Sequence, residues 1–342
     1  MKKRIHTSRL ALAAVLTLTA VPLSRAGDSS PAYNFLNIPS SVTSYGQGGL
    51  NISTINDDVN NIDVNPALLG PEMEKAIGLN YMHYIGGSNF AGARFANRAT
   101  DHSAWSVGLQ YFGYGAMKAA DETGVIHGEF SPKDLSISAS YSHDITDRWR
   151  GGATVKVLYS SYDEYSAMAI ATDLGVNYYD AERDLSFSAV VANLGGQVKR
   201  FTDSYDRLPI DVRLGWSQSF GSFPVRFSVT AWNLTKWRLP YYETGDGTEA
   251  PRLKDNFGSN LFRHLIFAVD FIPGDNFNIS LGYNYKTRTD MSTYSRSILS
   301  GFTIGAGLKV KMFGIGIALA QPHKSATSLM LNISTSLLDF IR

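Results

Sequence analysis

Six histidines lie beyond residue 26: His83, His102, His127, His143, His264 and His323. Two histidines one helical turn apart with a glutamate beside the first would hold a hydrolytic zinc ion, and no such spacing occurs. Serine is abundant, yet no Gly-x-Ser-x-Gly elbow sets one on a sharp strand-to-helix turn. A Ser/His pair built across neighbouring strands would leave no mark on spacing, but serines alternating with apolar residues are ordinary polar-face residues. The chain has no cysteine, which removes thiol catalysis, thiolate metal sites and disulfides together. Asp57, Asp58, Asn61, Asp63 and Asn65 crowd oxygen ligands into nine residues. They lack the glycine and closing glutamate of a calcium loop, and turn and cap chemistry explains them more simply. No residue is assigned to catalysis, a metal or a cofactor, and the expectation is a non-enzyme.

The elements that carry these residues show one dominant pattern. In "GFTIGAGLKVKMFGIGIALA" (301–320), Phe302, Ile304, Ala306, Leu308 and Val310 alternate with small or polar residues, and Phe313, Ile315, Ile317 and Leu319 do the same. Period two is the strand signature, and the junction at Lys311 and Met312 predicts a hairpin. "LSISASYS" (135–142), "FNISLGYNYK" (277–286), "WSVGLQY" (105–111), "IDVRLGWS" (210–217), "VRFSVTA" (225–231) and "LSFSAVVA" (185–192) repeat the pattern. Fourteen segments result, near 76–85, 89–97, 104–112, 135–143, 150–158, 168–179, 184–193, 209–220, 225–233, 263–272, 276–286, 300–310, 312–320 and 328–340. No mature segment carries a sustained helical stripe.

Connection lengths separate a lipid-facing barrel from a soluble sandwich. Links after even-numbered segments are short, "DITDRW", "DAERD", "GSFP", "PGDN" and "KM" among them, while links after odd-numbered ones are mostly longer, with 234–262 the longest. "GGSN" (86–89) is a short exception on the long side. Short turns at one end and long loops at the other mark an outer-membrane barrel. Arg94, Lys156, Asp173, Asp211, Arg213, Arg226, Asp270 and Lys309 all fall on the non-bulky phase, where they would line a lumen. No charge falls mid-strand on the bulky phase, as expected where a midplane cation costs about 2–4 kcal/mol.

Lys2, Lys3 and Arg4, the apolar "LALAAVLTLTAVPL", and Ser24-Arg25-Ala26 form the pattern of a cleaved export signal over 1–26. Residues 27–75 precede the first strand and are expected to fold inward as a plug, because a fourteen-stranded lumen is too wide for wall side chains to fill. In that arrangement the Asp57–Asp63 region faces Arg213 and Arg226. The barrel is expected over 76–342, with termini and short turns periplasmic. Trp105, Trp149, Trp216, Trp232, Trp237 and the strand-end tyrosines fit interfacial girdles. Net charge is +1, from 31 basic and 30 acidic residues, and no basic face for nucleic acid is evident. The longest loop carries Trp237, Tyr241, Tyr242, Arg252 and Phe257, types that anchor interfaces.

Four blocks, "AYNFLNIPSSVTSYGQGGLNIS" (32–53), "NPALLGPEM" (65–73), "AADETGVIHGEFSPKDLSISASYS" (119–142) and "RHLIFAVDFIPGDNFNISLGYNY" (263–285), resemble the PorQ family of the type IX secretion system of the Bacteroidota. Asn65-Pro66-Ala67 alone is shared with the wider FadL-like transporters. The resemblance implies a fourteen-stranded FadL-like outer-membrane barrel in an attachment complex. It further implies that the barrel holds a PorZ-like surface protein beside PorU and PorV, where cargo is processed and joined to anionic lipopolysaccharide. A second reading is a FadL-like conduit for a hydrophobic small molecule, with Gly305, Gly307, Gly314 and Gly316 either kinking the wall or packing against a plug. A polar inner face favours anchoring; a continuous apolar lumen would favour transport.

Overall fold

The structure, a computed structural model, describes residues 32–340 apart from 121–122, 124, 221–222, 244–250, 275, 291–297 and 324–325. The export signal expected over 1–26 lies outside the described residues. Fourteen strands close into an antiparallel transmembrane barrel: β1 (Ala76–His83), β2 (Asn89–Thr100), β3 (Ser103–Gly113), β6 (Lys133–Thr146), β7 (Trp149–Tyr162), β8 (Tyr165–Asp180), β9 (Leu185–Lys199), β10 (Asp211–Ser219), β11 (Val225–Ala231), β14 (Leu265–Gly274), β15 (Phe277–Asn284), β16 (Phe302–Val310), β17 (Phe313–His323) and β18 (Ala326–Ser336). Closure is by β1 on β18, from Ala76↔Ser336 to His83↔Leu329, so no sheet edge remains. Two hairpins were not anticipated: β4 (Met117–Ala120) with β5 (Ile126–Phe130), and β12 (Tyr241–Glu243) with β13 (Arg252–Lys254), both standing in the long connections.

Each of the fourteen expected segments contains a strand, and the differences have local causes. β9 was expected to end at Asn193, where the alternation breaks. The break is a bulge. Thr172 pairs with Leu194 while Leu174 pairs with Val191, and Asn193 sits at φ +58°, a left-handed position that asparagine tolerates. The Asn193 amide donates to Asp173 Oδ1 at 2.7 Å, and the strand resumes to Lys199. β7 and β8 likewise run on, so their connection shrinks to two residues, although it lies on the long-loop side. The last strand stops at Ser336 rather than 340, and Phe340 lies in a final 3-10 turn against Phe313.

Burial alternates along the wall. In β3, Trp105, Val107, Leu109 and Tyr111 are exposed to the lipid side, while Ser106, Gly108, Gln110 and Phe112 face inward and are buried. Residues 32–75 occupy the interior. Ala32 hydrogen-bonds Arg207 at the long-loop end, the helix Val42–Gly46 packs on β16 and β17, and Lys75 meets Leu337 at the short-turn end. The described chain thus enters the barrel at the long-loop end and joins the wall at the short-turn end, where the start of β1 and the end of β18 pair.

Candidate functional site

The interior is a seam between plug and wall. Asp63 of the plug pairs with Arg94 of β2 and accepts from Gln110 Nε2 of β3 at 2.8 Å, while Arg94 also donates to Ser106 at 2.9 Å and Ser138 at 3.0 Å. Lys156 pairs with Asp173 at 2.6 Å and donates to Asn193 Oδ1 at 3.1 Å. Arg213 pairs with Asp211 of its own strand at 2.8 Å and donates to plug Asn37 at 3.2 Å. Plug Gln47 donates to Asp270 at 2.6 Å. Six of the expected lumen charges, Arg94, Lys156, Asp173, Asp211, Arg213 and Asp270, are buried.

The expected pairing of plug acids with Arg213 and Arg226 is corrected. Arg226 pairs with Asp184 of the β8–β9 turn at 3.2 Å, and the plug carboxylates go elsewhere. Asp63 takes Arg94, Glu72 takes Arg150 at 2.9 Å, and Glu74 takes Arg98 at 2.5 Å. Asp57 reaches Lys309 at 3.5 Å across an exposed gap. Asp58 accepts from Ser41 and Asn332 and from the Asn60 amide, and Asn65 caps the 3-10 turn Pro66–Leu68 through the Ala67 amide. The crowded oxygens of 57–65 therefore serve turns, caps and two ion pairs.

The expectation of a polar inner face also needs correction. Met82, Phe90, Phe112, Leu158 and Met330 point inward near the long-loop end and enclose plug Tyr33, Phe35, Val42 and Tyr45. A second apolar layer joins Leu50, Ile52, Val64 and Leu68 to Val190 and Ile266. Trp232 packs against that layer rather than in a lipid-facing girdle. The polar network lies between such layers. A cavity of about 10 Å³ lies between plug and wall, lined by Leu36, Asn37, Ile38, Gln110, Lys156 and Arg213 among others. That is room for about one water molecule.

Gly305 and Gly316 are seats for the plug, whereas a Cβ at Gly307 or Gly314 would meet the wall side chains Asn278 and Ser334. A Cβ on Gly46 would lie 2.7 Å from Gly305 Cα, and one on Gly316 would lie 3.0 Å from Val42. The wall stays in register from Phe277↔Leu308 to Val310↔Phe313, so these glycines mark close packing and not a lateral gap.

At the long-loop end, Tyr241 is buried, hydrogen-bonded to Tyr285 at 3.0 Å and stacked under Arg263. Trp237, Tyr242, Arg252 and Phe257 are exposed, and so are Leu253 and Phe262, which sequence reasoning passed over. Tyr242 and Leu253 face each other across the β12–β13 hairpin. Its register, set by strands of three residues, gives no periodicity long enough to read.

Breaking the seam at its buried ion pair has a large expected effect. Arg94→Met strands Asp63, and removing one partner of a buried pair costs about 3–5 kcal/mol. Hydrogen exchange over residues 57–69 is expected to accelerate by orders of magnitude, with the barrel intact. Arg94→Met combined with Asp63→Leu should restore most protection, since an apolar replacement of the whole pair is close to neutral.

This is a plugged, FadL-like transmembrane β-barrel. Its fold is similar to those of solved channel proteins. The barrel is similar to a deletion mutant of the monoaromatic hydrocarbon channel TodX (TM-score 0.52, 10% identity, covering 86% of this chain and 97% of that one). It is also similar to the Pseudomonas putida toluene transporter TodX (TM-score 0.51, 11% identity, 87% and 96%) and to the monoaromatic hydrocarbon channel CymD (TM-score 0.50, 13% identity, 89% and 97%). At such identity the likeness is one of fold. No family model matches the chain, and no curated protein matches it in sequence.

Proposed function

We propose that the chain is an outer-membrane anchor, a barrel whose transport path is closed by its own N-terminal segment and whose long-loop face holds a surface partner. The observation that carries this reading is the filled interior: plug residues pack against the wall in two buried apolar layers and through the buried Asp63–Arg94 pair. The loop end instead carries folded hairpins and helices with exposed aromatic residues. The resemblance to the PorQ family supports the same reading and suggests the partner, a PorZ-like protein beside PorU and PorV near lipopolysaccharide. Tyr242 and Leu253 are the proposed contact, with Arg252 beside them. On this reading the long loops are extracellular and the short turns periplasmic.

Replacing Tyr242 and Leu253 together by alanine is expected to weaken partner retention by about thirtyfold, for a hot-spot loss of about 2 kcal/mol. Co-purification from detergent-solubilised membranes measures it. Full retention, with heat-modifiable mobility unchanged, would reject this hairpin as the docking site.

A second reading, a conduit for a hydrophobic small molecule, has its own observation in the apolar layer around Tyr33 and Phe35. The structural neighbours named as hydrocarbon channels support this reading more than they support anchoring. It requires the plug to move. Toluene uptake into cells with and without the barrel separates the readings: uptake that depends on the barrel, with no partner retained, would favour the conduit.

A further inference from the structure

The helix Phe257–Arg263 is inside out for a loop in water. Asn260, Arg263 and the following His264 are each no more than 3% exposed, whereas Phe257 is 69% and Phe262 51% exposed. The buried polar groups are engaged: Arg263 holds Thr289 and Asp290, Asn260 takes the Leu239 amide, and both His264 ring nitrogens face carbonyl oxygens, of Trp232 at 2.8 Å and of Trp237 at 2.9 Å. Polar groups inside and aromatics outside is the pattern of the barrel wall, where Ser, Asn and Asp face the plug and Leu, Ile and Phe face lipid.

The helix also continues the wall. It runs through His264 directly into β14, whose Val269 and Phe271 are lipid-facing. Beside it, β11 has only seven residues. At about 3.3 Å per residue and a tilt of about 40° it climbs about 18 Å, short of an apolar band about 25 Å tall. Phe220 and Phe223, exposed in the short turn, lengthen the band at one end. Trp237, 45% exposed and ring to ring with Phe257, stands at the other end, flanked by exposed Lys236 and Arg238. Aromatics edged by cations are the residues of a membrane–water interface.

We propose that Trp237, Phe257 and Phe262 lie in the lipid leaflet on the long-loop side, their occupant being its acyl chains. The segment then completes the wall above β11 and β14, and is not a protein-docking surface. The proposal rests on the barrel's membrane setting and not on the anchor reading, so it is tested without any partner.

The cysteine-free chain permits single nitroxide labels at Phe257→Cys and Phe262→Cys in phosphatidylcholine vesicles, with wall position Leu281→Cys and hairpin position Tyr242→Cys as references. Oxygen should relax the labels at 257 and 262 more than a soluble nickel chelate does, as at 281, with the order reversed at 242. Chelate dominance at 257 and 262 would overturn the proposal. Should labelling disturb folding, the native tryptophan serves: brominated lipid should quench Trp237, so Trp237→Phe should lower the quenched share of emission. An unchanged share would count against lipid contact.

Discussion

Deleting residues 32–69 is expected to turn a barrel that carries no current into an open channel. The wall does not need the plug for its own hydrogen bonds, because all fourteen strands pair with one another around the ring. What the plug supplies is volume, since a barrel of this strand number encloses more space than inward side chains fill. With the segment gone, the space now holding Tyr33, Phe35, Ile52, Val59 and Leu69 fills with water, and Arg94 loses Asp63. Residues 70–75 should be kept, because Glu72 and Glu74 tie the entry to β1 through Arg150 and Arg98. Wall cations Arg94, Lys156, Arg213 and Arg226 stand against Asp173, Asp211, Asp270 and Asp184, so ion selectivity should be weak. Planar-bilayer recordings of intact and deleted protein, each checked for heat-modifiable mobility, decide the matter. A folded deletion variant that passes no current would mean that the wall itself closes the lumen. The variant also bears on function: an anchor retains its partner without the plug, whereas a conduit loses control of its path.

The barrel was legible because its physical cause is local. Each strand needs one lipid-facing side, and period two records that side directly in residues such as Ile304, Leu308, Ile315 and Leu319. Loop sorting was legible for the same reason, except where strands outran their alternation, as β9 does past the Asn193 bulge. The inward apolar layers are present in the same pattern. Phe90 shares a phase with Arg94, Phe112 with Gln110, Leu158 with Lys156, and Met82 with Asn80, so counting by two from each polar residue reaches them. Pairing partners were not legible. Whether Asp63 meets Arg94 or Arg213 depends on how the plug winds through the lumen, and no sequence period encodes that path. The same holds for Tyr241 and Tyr242, adjacent in the chain, of which the hairpin buries one and exposes the other.

Gly282→Val should expel the plug helix while leaving the barrel closed. Gly282 lies on the inward phase of β15, and a Cβ there would collide with the backbone of Gln47 and Gly48. Backbone cannot rotate aside as a side-chain tip can, so either the strand or the plug must move. The strand is held on both sides, by Ala268 of β14 and Thr303 of β16. The plug turn is held by four bonds: Gly48 N to Thr303 Oγ1 at 2.8 Å, Thr303 Oγ1 to Gly46 O at 2.7 Å, Gln47 to Asp270 at 2.6 Å and Asn284 Nδ2 to Gly48 O at 3.2 Å. Overpacking costs about 1–3 kcal/mol. Losing the Gln47 contact would strip a hydrogen bond from the buried Asp270, a charge-assisted bond worth about 1.5–3 kcal/mol. That bond is a cost of leaving, and the steric overlap must exceed it: a Cβ driven into the Gly48 nitrogen is a clash with backbone that no rotamer relieves, so the helix Val42–Gly46 should shift off its seat with Gly46 leaving Gly305. Faster proteolysis within 40–50 and flickering current in bilayers are the expected signs. Gly274→Val is the control, because a Cβ at Gly274 meets nothing within 4 Å. If Gly282→Val leaves 40–50 as protected as the control does, the plug turn has room that its contact with the wall denies, and its seat on Gly282 is not what holds it.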